Sequence, residues 1–328
     1  MPASTKTSVA NSVTLADVQS AASRISGAVR RTPLLELPLE GRVYAKAENL
    51  QKTGSFKLRG AVNALSQLSP EQLARGVVTH SSGNHAQGLA CAAHMLGVKA
   101  TIVIPEGAPE VKVQRTLEFG ARIVRCGPSS EERERVARAE AERGGLTLVP
   151  PFDDLRVIAG QGTVGLEILE QLPDVANVLV PVGGGGLLAG VALAIKSLRP
   201  EVRVFGVEPE LAADAAESFA SGQPVRWEAE LTTRTVADGV RTQQLGTNNL
   251  PVILENVDGF LTATEEGIMA AAAFYLQRVR LVAEPTGALT LAALRELGPD
   301  SGLLAPGPTV LVLSGGNLDL GLISRLTV

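Results

Sequence analysis

One lysine and three clusters of small polar residues carry the chemistry available to this chain. Lys57 follows Thr53-Gly54-Ser55-Phe56 and opens a run with helical spacing over 56–68, which places its amine in the first turn of a helix. Unpaired backbone N–H groups and the helix dipole make that end positive, so the charged form of a lysine is disfavoured there. A neutral amine beside an aromatic ring is what attack on a carbonyl and Schiff-base formation require. Taken alone, a lysine at a helix start is more often a solvated surface group, and the neighbouring clusters decide between the two readings.

The first cluster is Gly183, Gly184, Gly185 and Gly186, followed by Leu187, between an apolar strand over 177–182 and an apolar helix over 187–198. Four glycines leave backbone N–H groups uncovered at a positive helix end, the geometry that cradles a phosphate; a tight turn alone rarely needs four. Gly184-x-Gly186-x-x-Ala189 also fits the dinucleotide fingerprint, with Glu208 where a ribose-binding acid would stand. A nicotinamide-dependent dehydrogenase is therefore a rival, although the fingerprint falls in mid-chain and leaves Lys57 unused.

The second cluster, Ser81-Ser82-Gly83-Asn84-His85, lies between a strand and a helix. Its hydroxyls and free N–H groups can grip a carboxylate, and the asparagine amide can hydrogen-bond a phenolic oxygen; plain capping by Ser82 or Asn84 is the alternative. The third, Ser314-Gly315-Gly316-Asn317, follows the strand 309–313 and sets a hydroxyl at a strand's carboxyl end, where open α/β sheets bind ligands; a plain turn would look the same.

These clusters need elements to position them. From residue 76 the pattern alternates: strands over 77–80, 100–104, 122–126 and 146–149, with helices over 84–96, 110–119 and 129–143 between them. That spacing predicts βαβ units in a small α/β domain over 76–149. Pro150-Pro151 marks the crossing to a second series, with strands over 177–182, 202–207 and 309–313 and helices over 158–171, 187–198, 214–220, 265–279 and 287–297. The expected fold is α/β, two doubly wound parallel-sheet domains. Residues 1–75 and 150–328 form the large domain, with 1–12 a mobile tail that is neither signal peptide nor anchor. The segment 222–249, which holds the sole tryptophan, Trp227, reads as a long functional loop.

Composition narrows the partners. A net charge of −4 and 3% aromatic residues argue against nucleic acid, and no apolar run reaches membrane-spanning length. Two cysteines, Cys91 and Cys126, have neither zinc-site spacing nor enough number for a disulfide framework, so a reducing, cytoplasmic setting is expected. A small molecule remains as the ligand.

From 14 to 317 the chain resembles the fold-type-II pyridoxal-phosphate enzymes, the tryptophan-synthase-β-like threonine/serine dehydratase and serine racemase group. Seven motifs match in order: Glu-Asn-Leu-Gln-Lys-Thr-Gly-Ser-Phe-Lys at 48–57, Ser-Ser-Gly-Asn-His at 81–85, Ala-Gly-Gln-Gly-Thr at 159–163, Gly-Gly-Gly-Gly-Leu at 183–187, Asp-Gly at 238–239, Glu-Pro-Thr at 284–286 and Ser-Gly-Gly-Asn at 314–317. The resemblance implies that Lys57 is the Schiff-base lysine and that Phe56 packs near the cofactor ring. Asn84 would bond the ring's phenolic oxygen, Gly183, Gly184, Gly185, Gly186 and Leu187 would hold the phosphate, and Ser314 would face the pyridine nitrogen. A neutral hydroxyl there does not enforce a protonated ring, which favours β-elimination over chemistry that needs a long-lived carbanion. Ser81, Ser82, Asn84 and His85 would clamp the substrate carboxylate.

The implied activity is dehydration and deamination of L-threonine or L-serine to a 2-oxo acid and ammonia, with Lys57 as the base. Racemisation of serine, or of aspartate or hydroxyaspartate, is the alternative, with Ser82 as second acid/base; Phe152 in Pro151-Phe152-Asp153 resembles the dehydratases. The resemblance further implies Mg²⁺ (or Ca²⁺ or Mn²⁺) at Glu208, the Ala212 carbonyl and Asp214, oxygen ligands suited to a hard cation, where a capped helix start is the plainer reading. A homodimer is implied too, and without an appended regulatory domain no feedback inhibition by isoleucine is expected.

Overall fold

The computed structural model describes residues 12–81, 83–108, 110–127, 129–298 and 301–326. Two sheets organise them. The four-stranded sheet is parallel throughout, in the order β5 (Arg122–Cys126), β4 (Ala100–Pro105), β3 (Val77–His80), β6 (Thr147–Leu148). The six-stranded sheet runs β1 (Leu34–Glu36), β2 (Val43–Ala47), β10 (Thr309–Leu313), β7 (Asn177–Pro181), β8 (Arg203–Pro209), β9 (Gly259–Ala263). Its edge strand β1 pairs antiparallel with β2 and the other pairs are parallel.

The helices are α1 (Leu15–Ile25), α2 (Lys57–Leu65), α3 (Pro70–Arg75), α4 (Asn84–Met95), α5 (Glu110–Leu117), α6 (Ser130–Gly144), α7 (Leu155–Gln171), α8 (Gly186–Leu198), α9 (Asp214–Ser221), α10 (Ala229–Thr232), α11 (Asn249–Asn256), α12 (Glu265–Phe274), α13 (Pro285–Leu297) and α14 (Ile323–Leu326). The large sheet is covered on both faces. Val178 and Val180 of β7 enter one core with α1, α7 and α8, while Leu179 between them enters the other with α12 and α13. The small sheet repeats the device: Val77 packs towards α4, and Val78 packs beside Ala137 of α6. Alternation along strands that are apolar on both sides is what a doubly wound sheet requires.

Differences from the sequence reading have local causes. α7 begins at Leu155, ahead of the expected 158, because Asp154 caps it by accepting from the backbone N–H groups of Arg156 (2.8 Å) and Val157 (3.4 Å). The helix expected over 265–279 changes to a π turn at Tyr275–Val279. Segment 222–249 contains α10 and a 3₁₀ turn at Asp238–Val240, and Trp227 donates its indole N–H to Glu217. The tail 1–11 lies outside the described residues. Among the described residues no helix is long and apolar enough to cross a membrane.

Candidate active site

Lys57 is the first residue of α2, and its side chain is held among elements distant in sequence. Phe56 N–H donates to the Ser314 carbonyl at 3.1 Å, tying the helix start to the end of β10. Lys57 Nζ donates to the Pro151 carbonyl at 2.8 Å and sits 5.1 Å from the centroid of the Phe56 ring. Burial pushes the amine down to about 8; loss of water, rather than the helix end, is the cause.

α4 begins at Asn84, and Gly83 occupies its cap position without any side-chain cap bond, so the Asn84 amide is available for other partners. Its Nδ2 donates to Glu284 Oε1 at 2.6 Å and its Oδ1 accepts from Asn317 Nδ2 at 2.7 Å. A Cβ on Gly88 would lie 3.1 Å from the Lys57 carbonyl carbon, so the glycine lets α4 press against the start of α2. Ser81 Oγ accepts from Gly83 N–H at 3.3 Å. Ser82 lies outside the described residues.

His85 is placed differently from expectation. Its Nε2 faces the Val149 carbonyl at 3.3 Å, its Nδ1 is buried without a partner, and burial lowers its pKa to about 3. A carbonyl only accepts, so Nε2 carries the proton and Nδ1 offers a lone pair. The ring cannot donate to a carboxylate; a contact from His85 to an anion falls to its backbone.

The glycine loop lies next to the segment that holds Lys57. A Cβ on Gly184 would meet the Phe152 ring at 2.3 Å, and one on Gly186 would meet the Phe152 carbonyl oxygen at 2.9 Å. Gly185 has φ 92°, a conformation other residues avoid. Asn249 Nδ2 (2.6 Å) and Gly246 N–H (3.0 Å) both donate to the Gly184 carbonyl, and Asp153 accepts from the backbone of Thr247 and Asn248, so α11 and the Phe152 segment brace the loop. Among the described residues the N–H groups of Gly183, Gly184, Gly185, Gly186 and Leu187 donate to no protein acceptor, and Thr242 Oγ1 is buried beside Gly183 without a partner. This is a cradle of donors suited to an anion.

Ser314 is buried at the end of β10. A Cβ at the following Gly315 would lie 2.2 Å from Glu284 Oε1 and 3.2 Å from Asn84 Nδ2, so Asn84, Glu284 and the third cluster share one wall. Burial and nearby Asp238 push the Glu284 carboxyl up to about 7. The sequence reading assigned no role to Glu284, Asn317 or Pro151. Glu284 and Asn317 belong to matched motifs, the one signal that marks them; a backbone carbonyl leaves none.

Glu208 stands next to last in β8 and Asp214 opens α9, both buried. Glu208 accepts from the N–H groups of Ala215 (3.2 Å) and Ala216 (2.7 Å), while both Asp214 oxygens are buried without partners. Burial raises both carboxyls, Asp214 to about 7 and Glu208 well above its usual range, with Asp214 adding to the shift on Glu208. Among the described residues no group of three or more His, Cys, Asp or Glu could hold a metal.

A lysine with a lowered pKa, a phosphate-type cradle, an amide and a buried hydroxyl thus meet at the carboxyl ends of β7 and β10, the composition of a Schiff-base cofactor site. Residues 25–315 match the pyridoxal-phosphate dependent enzyme family, and the chain belongs to that family. It is 44% identical over 309 residues to an L-threo-3-hydroxyaspartate ammonia-lyase of a Pseudomonas species, covering 93% of this chain and 95% of that one. Among solved structures, a threonine deaminase of T.th. is 47% identical, with a TM-score of 0.88 over 94% of this chain and 99% of its own. Serine racemase from Dictyostelium discoideum is 40% identical, with a TM-score of 0.87 over 94% and 99%. The protein is thus an enzyme of fold type II. The dinucleotide alternative falls, because the chain belongs to the pyridoxal-phosphate dependent enzyme family.

Proposed function

We propose that the enzyme removes water and then ammonia from a small β-hydroxy-α-amino acid, L-threonine or L-serine foremost, leaving a 2-oxo acid. The observation that carries this is Lys57: a half-buried lysine whose amine, among the described residues, donates only to the Pro151 carbonyl oxygen, beside the glycine cradle and the Asn84 wall. The donor set fits pyridoxal phosphate, with Lys57 for its aldehyde, Gly183, Gly184, Gly185, Gly186 and Leu187 for its phosphate, Asn84 for its phenolic oxygen, Ser314 for its ring nitrogen and Phe56 along its ring. When bound, the cofactor draws electrons from the substrate's α-carbon and so acidifies the α-proton.

This chain's residues do the rest. Pro151 receives the Lys57 N–H and keeps the amine close while burial keeps it near neutrality, so Lys57 can take the α-proton and return it elsewhere. Ser81 and the backbone N–H groups at the start of α4 orient the substrate carboxylate. Phe152, with one face against Gly184, presents an apolar surface suited to threonine's methyl. In the racemase reading, favoured by the likeness to serine racemases, Ser82 serves as the opposite-face acid/base. We further infer that residues 76–149 move as a small domain against the rest, that the enzyme is a homodimer, and that it works in the cytoplasm, in keeping with two free cysteines. A divalent cation, Mg²⁺ foremost, at Glu208, the Ala212 carbonyl and Asp214 would occupy the unpartnered Asp214 oxygens.

The test is 2-oxo acid release by the cofactor-loaded enzyme from L-threonine, L-serine and L-threo-3-hydroxyaspartate in parallel, with D-serine formation followed from L-serine. Fast release of 2-oxobutanoate is expected. Release only from hydroxyaspartate, or D-serine without pyruvate, would overturn the threonine/serine dehydratase reading.

A further inference from the structure

Four side chains, two from beside each sheet, form one line of hydrogen bonds whose direction is fixed chemically. Arg115 of α5 donates Nη1 to Asn317 Oδ1 at 3.0 Å. Asn317 Nδ2 then donates to the Thr53 carbonyl at 2.9 Å and to Asn84 Oδ1 at 2.7 Å. Asn84 Nδ2 donates to Glu284 Oε1 at 2.6 Å, and its second N–H has no protein acceptor among the described residues.

An asparagine amide can usually sit either way round, because its two ends have similar shape. Here it cannot. A guanidinium only donates and a backbone carbonyl only accepts, so Arg115 and Thr53 together force Asn317 to turn its oxygen to one and its nitrogen to the other. Asn317 must therefore offer an N–H to Asn84, which must answer with its oxygen and send its own N–H groups away. Gly54, at φ 72°, belongs to the same arrangement: a Cβ there would lie 2.5 Å from Asn317 Oδ1.

Resting on the reading that Asn84 contacts the cofactor's phenolic oxygen, we propose that Asn317 is a positioning residue for the reaction: anchored by Arg115 and Thr53, it orients the Asn84 amide so that an N–H faces that oxygen. The line also joins the two sheets. Arg115 and Asn84 lie on helices beside the small sheet, whereas Asn317 and Glu284 lie beside the large one. Lys112, on α5 with Arg115, pairs with Asp238 across the same gap, so two cations of α5 dock there together. Cofactor electronics and the seating of α5 thus depend on one amide.

The experiment records the visible absorption of protein-bound pyridoxal phosphate, without substrate, across pH, for wild type and for Asn84→Ala, Asn317→Ala, Asn84→Ala/Asn317→Ala and Arg115→Ala. Losing an N–H to the phenolic oxygen alters the balance of long- and short-wavelength bands. Asn317→Ala is expected to shift that balance in the direction of Asn84→Ala, and the double variant to shift it no further than Asn84→Ala alone. kcat should fall about tenfold, the worth of one modest hydrogen bond, with KM nearly unchanged. Arg115 is exposed, so Arg115→Ala should fold normally and give a smaller shift of the same sign. An unchanged spectrum in both Asn317→Ala and Arg115→Ala, beside a shifted Asn84→Ala, would overturn the proposal while leaving the cofactor reading standing. Absence of any visible band in wild type would overturn both.

Discussion

Lys57 shows how far a single residue's surroundings set its chemistry. Its pKa is depressed by burial to about 8, so below that pH the amine is mostly charged and cannot attack an aldehyde. Capture of pyridoxal phosphate by the apo-protein should therefore quicken about tenfold per pH unit up to near pH 8 and level off above it, as followed by the growth of visible absorbance. A flat profile from about pH 6 to 9 would mean that Lys57 is not the group that captures it. Lys57, Asn84 and Ser314 were legible through the ordered set of motifs that carries the family resemblance, since each residue alone also fits a plainer role as a solvated lysine, a cap or a turn. Pro151 could not, since every residue has a carbonyl and only the fold decides which one meets Nζ. The His85 ring departs from its expected role for a related reason: its donor is already committed to Val149.

At the scale of elements, the turn from β8 to α9 should have a pH response of its own and, on the proposed reading of a cation there, a Mg²⁺ response as well. Asp214 and Glu208 hold their protons in the folded state at pH values where the unfolded chain has lost them. The folded state then binds more protons, so stability should fall as pH rises from about 4 to 7. A divalent cation that binds there relieves the penalty. Mg²⁺ should raise Tm by a few degrees at pH 7.5, much less at pH 5, and not at all in Asp214→Asn, as measured by thermal unfolding. Equal Mg²⁺ effects in wild type and Asp214→Asn would remove the site. Elements with strong periodicity, such as α8 and β7, were legible to within a residue or so. The short strands β1, β2 and β9 were not, because three to five residues carry little periodic signal and exist through their pairing with neighbours.

Over the whole molecule, a buried charge cluster binds the N-terminal segment to the rest. Arg59 pairs with Glu48 (2.8 Å) and Glu167 (2.7 Å), and Lys46 also reaches Glu167, so β2, α2 and α7 close on a balanced set of two cations and two anions. Removing one member leaves an uncompensated charge. Glu48→Ala should cost about 3–5 kcal/mol in urea unfolding. A loss under about 1 kcal/mol would show that water reaches the cluster and screens it. The bond from Asn317 to Thr53 spans 264 positions, and the one from Asn317 to Asn84 spans 233. Synthesis proceeds from the N-terminus at roughly 5–20 residues per second, so Lys57 is translated roughly 10–50 seconds before Ser314 and Asn317 exist. Throughout that interval its amine is an ordinary hydrated ammonium on a nascent chain, slow to attack the aldehydes of the cell, and the burial that lowers its pKa arrives only once the last strand is in place.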